Sequence, residues 1–252
     1  MTDYTNISTP HIAVKDVPFS KNVLMPGDPK RAEMIAEKYL TEVKVISDIR
    51  GIKAYKGLYS RNEGGKSVSV TVMASGMGMP SIGIYSHELF NLFGVERIIR
   101  IGSIGAVNRN LNLGDIVIAQ AASTNSNYLR QYGLGGYNYS PISDFKTTNT
   151  LNEEANKIIG KRNKVYVGNI LSSDTFYAYS APDWNTVGIL GIEMESAALF
   201  AEATVAGKQA ACICTVSDLT FDISKQMTAE ERQNNLNTMI KTALNTVFKM
   251  DR

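Results

Sequence analysis

From Ser67 to Met73 the chain alternates Val68, Val70 and Val72 with Ser69 and Thr71, the period of two that marks a strand with one face buried. It then passes through Ser75-Gly76-Met77-Gly78-Met79-Pro80 into a segment whose Ile82, Tyr85, Leu89 and Phe93 fall on one face of a helix. The same order occurs earlier: Asn22 to Met25 reads as a short strand, Pro26-Gly27-Asp28-Pro29 as a turn, and Ala32, Ile35, Ala36, Tyr39 and Leu40 as the apolar face of a helix with Gly27 at its N-terminus. Further strands are predicted at Arg97 to Ile101, ending in Gly102-Ser103-Ile104-Gly105, at Asp115 to Ala119, at Val165 to Leu171 and at Gln209 to Val216. The last is almost wholly apolar, as a central strand covered on both faces must be, and the C-terminal pattern of Leu236, Met239, Ile240, Ala243, Leu244, Val247 and Phe248 predicts an amphipathic helix able to cover it. These elements predict an α/β chain with a central mixed β-sheet flanked by helices. The stretch from Ser123 to Asn149, rich in Asn, Tyr, Ser and Gly, is too long for a plain connector and predicts a functional loop or an excursion between strands.

Composition narrows the picture. With 252 residues, 44% hydrophobic and 20% charged, and with no repeat or low-complexity tract, the chain is expected to fold as one domain spanning residues 1–252. The 26 basic and 24 acidic residues leave a formal charge of +2, so there is no global field to draw the chain to nucleic acid or anionic membranes, and any anion site must be local. Met1 to Phe19 has neither the apolar run of a signal peptide nor an anchor, and no later run is long enough to span a membrane, so a cytoplasmic location is expected. Cys212 and Cys214, two apart on a strand, point to one face, are poorly placed to bond each other, and are expected to be buried thiols in a reducing compartment. The glycosylation patterns at Asn6-Ile7-Ser8 and Asn138-Tyr139-Ser140 are discarded on the same reasoning.

Three motifs fail. Gly76-Met77-Gly78 lacks the third glycine of a dinucleotide fingerprint, because residue 81 is Ser81. Gly65-Lys66-Ser67 resembles the end of a P-loop, but residue 60 is Ser60 and a strand follows, so a hairpin turn is the better reading. With His11 and His87 the sole histidines, no cluster has metal-ligand spacing, and neither a metal nor an organic cofactor is expected.

Taken together, Met25-Pro26-Gly27-Asp28-Pro29-Lys30-Arg31-Ala32, Gly76-Met77-Gly78-Met79-Pro80-Ser81, Arg100-Ile101-Gly102-Ser103-Ile104-Gly105-Ala106, Gly191-Ile192-Glu193-Met194-Glu195 and Thr215-Val216-Ser217-Asp218 closely resemble the hexameric-type bacterial purine nucleoside phosphorylases, in the same order and from Thr9-Pro10-His11-Ile12 to Glu231-Arg232-Gln233. The resemblance implies a three-layer nucleoside phosphorylase-like fold. It also implies the reversible phosphorolysis of purine ribo- or deoxyribonucleosides to a free base and a pentose 1-phosphate, with inorganic phosphate as co-substrate. By the same resemblance the enzyme is a homohexamer built as a trimer of dimers.

That chemistry suits the residues. A phosphate dianion is met by backbone N–H groups at a helix N-terminus and by guanidinium forks, and the resemblance assigns Gly27, Arg31, Arg100 and Ser103 to it, with Arg50 donated by a neighbouring subunit. Cleavage builds oxocarbenium-like charge on the ribose, which a carboxylate can favour while accepting from its hydroxyls, and Glu195 fits that part. The resemblance also brings Met77, Ile192, Glu193, Met194 and Ser217 to the nucleoside, His11 of the adjacent subunit to the 5'-hydroxyl, and Phe176 onto the base. For Glu193 an equal reading is a cap on the helix that follows. The purine leaves poorly as an anion, so a general acid is needed, with Asp218 the candidate and Arg232 its implied partner.

Ile104 stands where the family often has a small residue or Cys, and the segment from Leu219 to Met227 departs from the usual loop. Three other readings fit the sequence less well. Uridine phosphorylases place a Gln-x-Arg pair where Ala178-Tyr179-Ser180-Ala181-Pro182 stands here. Methylthioadenosine nucleosidases use water, whereas Arg31 and Arg100 argue for phosphate, and a non-catalytic nucleoside-binding protein would have shed catalytic groups.

Overall fold

The computed structural model describes residues 4–62, 64–133, 138–177 and 182–251, with the backbone alone for residues 223 and 229–235. A two-stranded pair, β1 (Ile7–Ser8) and β2 (Ala13–Val14), precedes β3 (Asn22–Pro26), α1 (Pro29–Tyr39), the hairpin β4 (Thr41–Ile49) and β5 (Ile52–Ser60), β6 (Ser67–Met73) and α2 (Met79–Asn91). Then come β7 (Arg97–Ala106), β8 (Ile116–Thr124), a 3₁₀ turn at Tyr128–Tyr132, α3 (Phe145–Ile158), β9 (Val165–Ser172), a second 3₁₀ turn at Trp184–Val187 and β10 (Gly191–Glu193). The chain closes with α4 (Ser196–Ala206), β11 (Gln209–Leu219), β12 (Asp222–Gln226) and α5 (Ala229–Met250).

Ten strands form one mixed sheet in the order β12-β11-β8-β9-β10-β7-β3-β6-β5-β4, and a further pairing of β11 with β7 closes part of it on itself. The period of two explains why helices cover both faces. On β11, Ala210, Cys212, Cys214 and Val216 join one core cluster with Leu89 of α2 and Phe200 of α4, while Ala211 and Ile213 join another with Ile35 of α1, Leu151 of α3 and Ile240 of α5. The result is three layers. The two thiols therefore share a face, with their sulfurs 3.5 Å apart, far beyond the ~2.05 Å of a disulfide. The hydrogen bond with Cys212, together with burial, pushes the Cys214 thiol up.

The predicted strand starting at Arg97 does not stop at Ile101. Gly102-Ser103-Ile104-Gly105 continues β7, because its backbone is paired on both sides, by β11 and then by β10. Likewise β11 runs on through Ser217 and Asp218 to Leu219 rather than ending at Val216, with a register shift between Val216 and Asp218. Pairing overrode the glycine and serine turn signals. β5 and β6 are antiparallel neighbours, and Gly65 N donates to Asn62 O (3.1 Å), so Gly65-Lys66-Ser67 lies at a hairpin turn as read from the sequence.

Candidate functional site

The parallel strands β3, β6, β7 and β11 point their carboxyl ends the same way, and several of the predicted site residues lie there, the usual place for a ligand in an open α/β sheet. After β3, Gly27 leads to Asp28, whose side chain accepts from Lys30 N (2.9 Å) and caps α1, while Arg31 lies half-buried in its first turn. After β6, the Gly76-Met77-Gly78 turn needs positive φ at Gly76 (68°) and Gly78 (87°), which glycine adopts without strain. The two turns touch: Ser75 N donates to Pro26 O (2.8 Å), and a Cβ on Gly27 would meet Gly76 O at 3.4 Å.

Arg100 is the centre of the site. It is buried on β7 and lies between two carboxylates, with Nε donating to Glu193 Oε2 (2.7 Å) and Nη2 to Glu195 Oε2 (2.5 Å). Its third nitrogen, Nη1, is buried and has no hydrogen-bond partner among the described residues. Burial works against the Arg100 charge, but Glu195 and Glu193 outweigh it and hold the guanidinium firmly protonated. The guanidinium lies along β7 over Gly102, where a Cβ would approach Nη2 to 2.9 Å, and Ser103 follows half-buried on the same strand.

The two glutamates differ. Glu195 is the N-cap residue of α4 at φ −133° and ψ −33°, so the extended backbone that alternation of the pair would require is not what presents it. Its Oε1 accepts from Gly78 N (2.7 Å) and its Oε2 from Met194 N (3.2 Å), which ties the glycine turn to the start of α4. Glu193 ends β10 and takes the capping reading: its carboxylate accepts from Ser196 N (3.0 Å) and Ser196 Oγ (3.0 Å). The structure thus favours the cap over the nucleoside contact expected from the sequence, since the Glu193 side chain is 1% exposed and its carboxylate accepts from donors of its own chain.

At the other end of this stretch of β7, Asp218 is half-buried, accepts from Ser217 Oγ (2.6 Å), and packs so closely on Gly105 that a Cβ there would lie 2.7 Å from Oδ2. Gly102 and Gly105 are three residues apart on one strand, a rise of about 10 Å. The Arg232 side chain lies outside the described residues, as do Ala178 to Ala181. Phe176 (77% exposed) and Met77 (82% exposed) stand open at the surface, and Met194 and Ile192 are half-buried beside the glutamates. Phe176 belongs to a segment clamped by Asn125, whose Nδ2 donates to Ser173 Oγ (3.1 Å) and whose Oδ1 accepts from Asp174 N (3.3 Å).

Among the described residues, no hydrogen bond joins His11 or Arg50 to this cluster. His11 Nδ1 meets Glu88 Oε1 (2.7 Å) on α2, and Thr9 Oγ1 donates to Glu88 Oε2 (2.6 Å). Arg50 occupies the tip of the β4–β5 hairpin at φ 56°, followed by Gly51 at φ 76°, the pair of positive values a two-residue primed turn requires. It is exposed, and its charge is felt at Tyr85 of α2. Both residues thus sit along α2, outside the carboxyl-end cluster. The sequence reading passed over Glu88, although an acidic residue next to Leu89 on an apolar helix was a visible signal. Among the described residues no group of three His, Cys, Asp or Glu is arranged to hold a metal ion, and no helix is long and apolar enough to cross a membrane.

The model of the phosphorylase superfamily matches residues 21–250. Purine nucleoside phosphorylase DeoD-type of Colwellia psychrerythraea is 43% identical over 95% of this chain and 99% of its own, that of Psychromonas ingrahamii 41% over 96% and 99%, and that of Yersinia enterocolitica 40% over 98% and 99%. Among solved structures, a uridine phosphorylase from Vibrio fischeri superposes with a TM-score of 0.76 at 26% identity, covering 95% of this chain and 97% of that one.

Proposed function

Because this chain belongs to the phosphorylase superfamily, we propose that it cleaves the N-glycosidic bond of purine nucleosides with inorganic phosphate, reversibly, releasing the base and a pentose 1-phosphate. The observation that carries this reading is Arg100: a buried guanidinium with an unpartnered nitrogen, beside the carboxylate of Glu195 and on the same strand as the glycine against which Asp218 packs. A dianion satisfies the open donor edge of Arg100, with Gly27, Arg31 and Ser103 as its further ligands. Glu195 holds the ribose hydroxyls and favours the positive charge that grows on the sugar. Asp218 delivers a proton to the purine, supported by Arg232, while Met77, Phe176, Ile192, Met194 and Ser217 enclose the nucleoside.

In this reading the whole chain acts as one domain, phosphate is a co-substrate and no cofactor takes part. The active form is a hexamer, a trimer of dimers, in which His11 and Arg50 on α2's flank complete the neighbour's site. Two unpaired thiols suit a cytoplasmic enzyme. The test is base release from adenosine, inosine, guanosine and uridine with and without phosphate. Phosphate-dependent release from purine nucleosides is expected; equal rates without phosphate indicate a nucleosidase, and preference for uridine overturns the purine assignment.

A further inference from the structure

Glu193 is built to hold a neighbour. Its Oε1 accepts from Ser172 Oγ at the end of β9 (2.5 Å) and from Ser196 N (3.0 Å). Its Oε2 accepts from Ser196 Oγ (3.0 Å), Glu195 N (3.1 Å) and Arg100 Nε (2.7 Å). Ser172 is itself held, because its Oγ accepts from Ala197 N (2.9 Å). A carboxylate offers about four lone-pair directions, and these donors, drawn from β9, β7 and the first turn of α4, use them up. Glu193 therefore has no capacity left for a substrate hydroxyl.

What it does have is control of Arg100. Nε is the nitrogen nearest the backbone, so holding it sets the plane of the guanidinium and the direction of its two terminal nitrogens. One of those, Nη2, reaches Glu195, and the other, Nη1, is the unpartnered one. We propose that Glu193 is the positioning residue for Arg100, clamping Nε from the N-terminus of α4 so that the terminal donors face the phosphate, and that it does not itself touch the nucleoside. The inference rests on the proposed function for the identity of the anion, and on the hydrogen-bond geometry for the clamp.

Each Glu193 oxygen faces at least one group that can only donate, Ser196 N at Oε1 and Glu195 N and Arg100 Nε at Oε2, so Glu193→Gln must turn its own NH₂ toward a donor and loosens the clamp. A hydrogen bond to a charged group contributes enough that phosphate affinity, measured by isothermal titration with inorganic phosphate alone, is expected to fall about ten- to a hundredfold. The nucleoside KM at saturating phosphate should change less than about threefold, and in an Arg100→Ala background Glu193→Gln should have no further effect on phosphate affinity. Ser172→Ala, which keeps the charge and removes one support, should show the same split at smaller size, and serves if Glu193→Gln does not fold. A rise in nucleoside KM instead, an unchanged phosphate affinity, or equal losses for both substrates overturns the positioning role. The two readings fail separately: wild-type protein that binds phosphate without cleaving nucleosides sinks the proposed function, whereas active wild type with normal phosphate binding by Glu193→Gln sinks the clamp alone.

Discussion

Glu195 has to be ionised to hold ribose hydroxyls and to favour positive charge on the sugar, yet its surroundings oppose that charge. Burial pushes its carboxyl up, Arg100 pulls it down, Glu193 pushes it up again, and the balance lies above the ordinary carboxylate range. A raised pKa means that protons are taken up sooner as pH falls. The nucleoside kcat/KM should therefore drop on the acid side at a pH above the ~4.3 of a free glutamate, and Glu195→Gln, already low in activity, should lose that limb. A pH profile for the wild type with no acid limb above that value would remove Glu195 from this role. Asp218 is tested by its leaving group: Asp218→Asn should slow natural purine nucleosides by roughly 10²–10⁴-fold while sparing a nucleoside whose base departs without protonation. Equal slowing of both substrates in chemistry-limited measurements would make Asp218 a structural residue.

At the scale of elements, glycines decide how closely strands and helices can carry their side chains to one another. A Cβ at Gly105 of β7 would lie 2.7 Å from Asp218 Oδ2 and 3.1 Å from Thr220 Cγ2, both ends of side chains that can move. Gly105→Ala is thus expected to displace the Asp218 carboxylate and lower kcat while the chain stays folded by circular dichroism. Gly83 of α2 is a different case. A Cβ there would lie 2.0 Å from Tyr128 Oη, and the Tyr128 hydroxyl also donates to Glu202 of α4 (3.1 Å), which accepts from Tyr132 as well. Burial and Glu202 push the Tyr128 phenol up to about 12. Gly83→Ala should pry the 3₁₀ turn from both helices and cost about 1–3 kcal/mol in urea denaturation, the range for overpacking. No loss would show that the turn is not held there.

For the whole molecule, the proposed site draws on two copies of the chain. His11 is oriented by Glu88 and Arg50 stands at a hairpin tip, both along α2, so a neighbouring copy laid against that flank can receive them. Mixed assemblies of Arg50→Ala and Asp218→Ala chains, each inactive alone, should regain part of the wild-type activity, because some composite sites then hold an intact Arg50 and an intact Asp218. No recovery in assemblies shown by mass spectrometry to be mixed would place the site within one chain.

The period-two and period-3.6 patterns, which depend on near neighbours, were sufficient for β6, whose bounds Ser67–Met73 match the reading, for α1 and α5, and for the α/β class with a mixed sheet flanked by helices. The motif segments also named Arg100, Glu195 and Asp218 as candidates for the proposed site. Strand ends were not legible, because Gly102 to Gly105 and Ser217-Asp218 carry local turn signals and were drawn into β7 and β11 by partners far away in the chain. The β4–β5 hairpin and α3 also went unassigned, their patterns being weaker until packed on the sheet. Glu193 shows the limit most clearly. Sequence allowed it to be a ligand contact or a cap, and only the convergence of Ser172 and Arg100, from segments distant in sequence, with the nearby Ser196 commits its carboxylate inward. Periodicity is local and can be read along the chain, whereas the saturation of a buried carboxylate depends on which donors folding brings within about 3 Å.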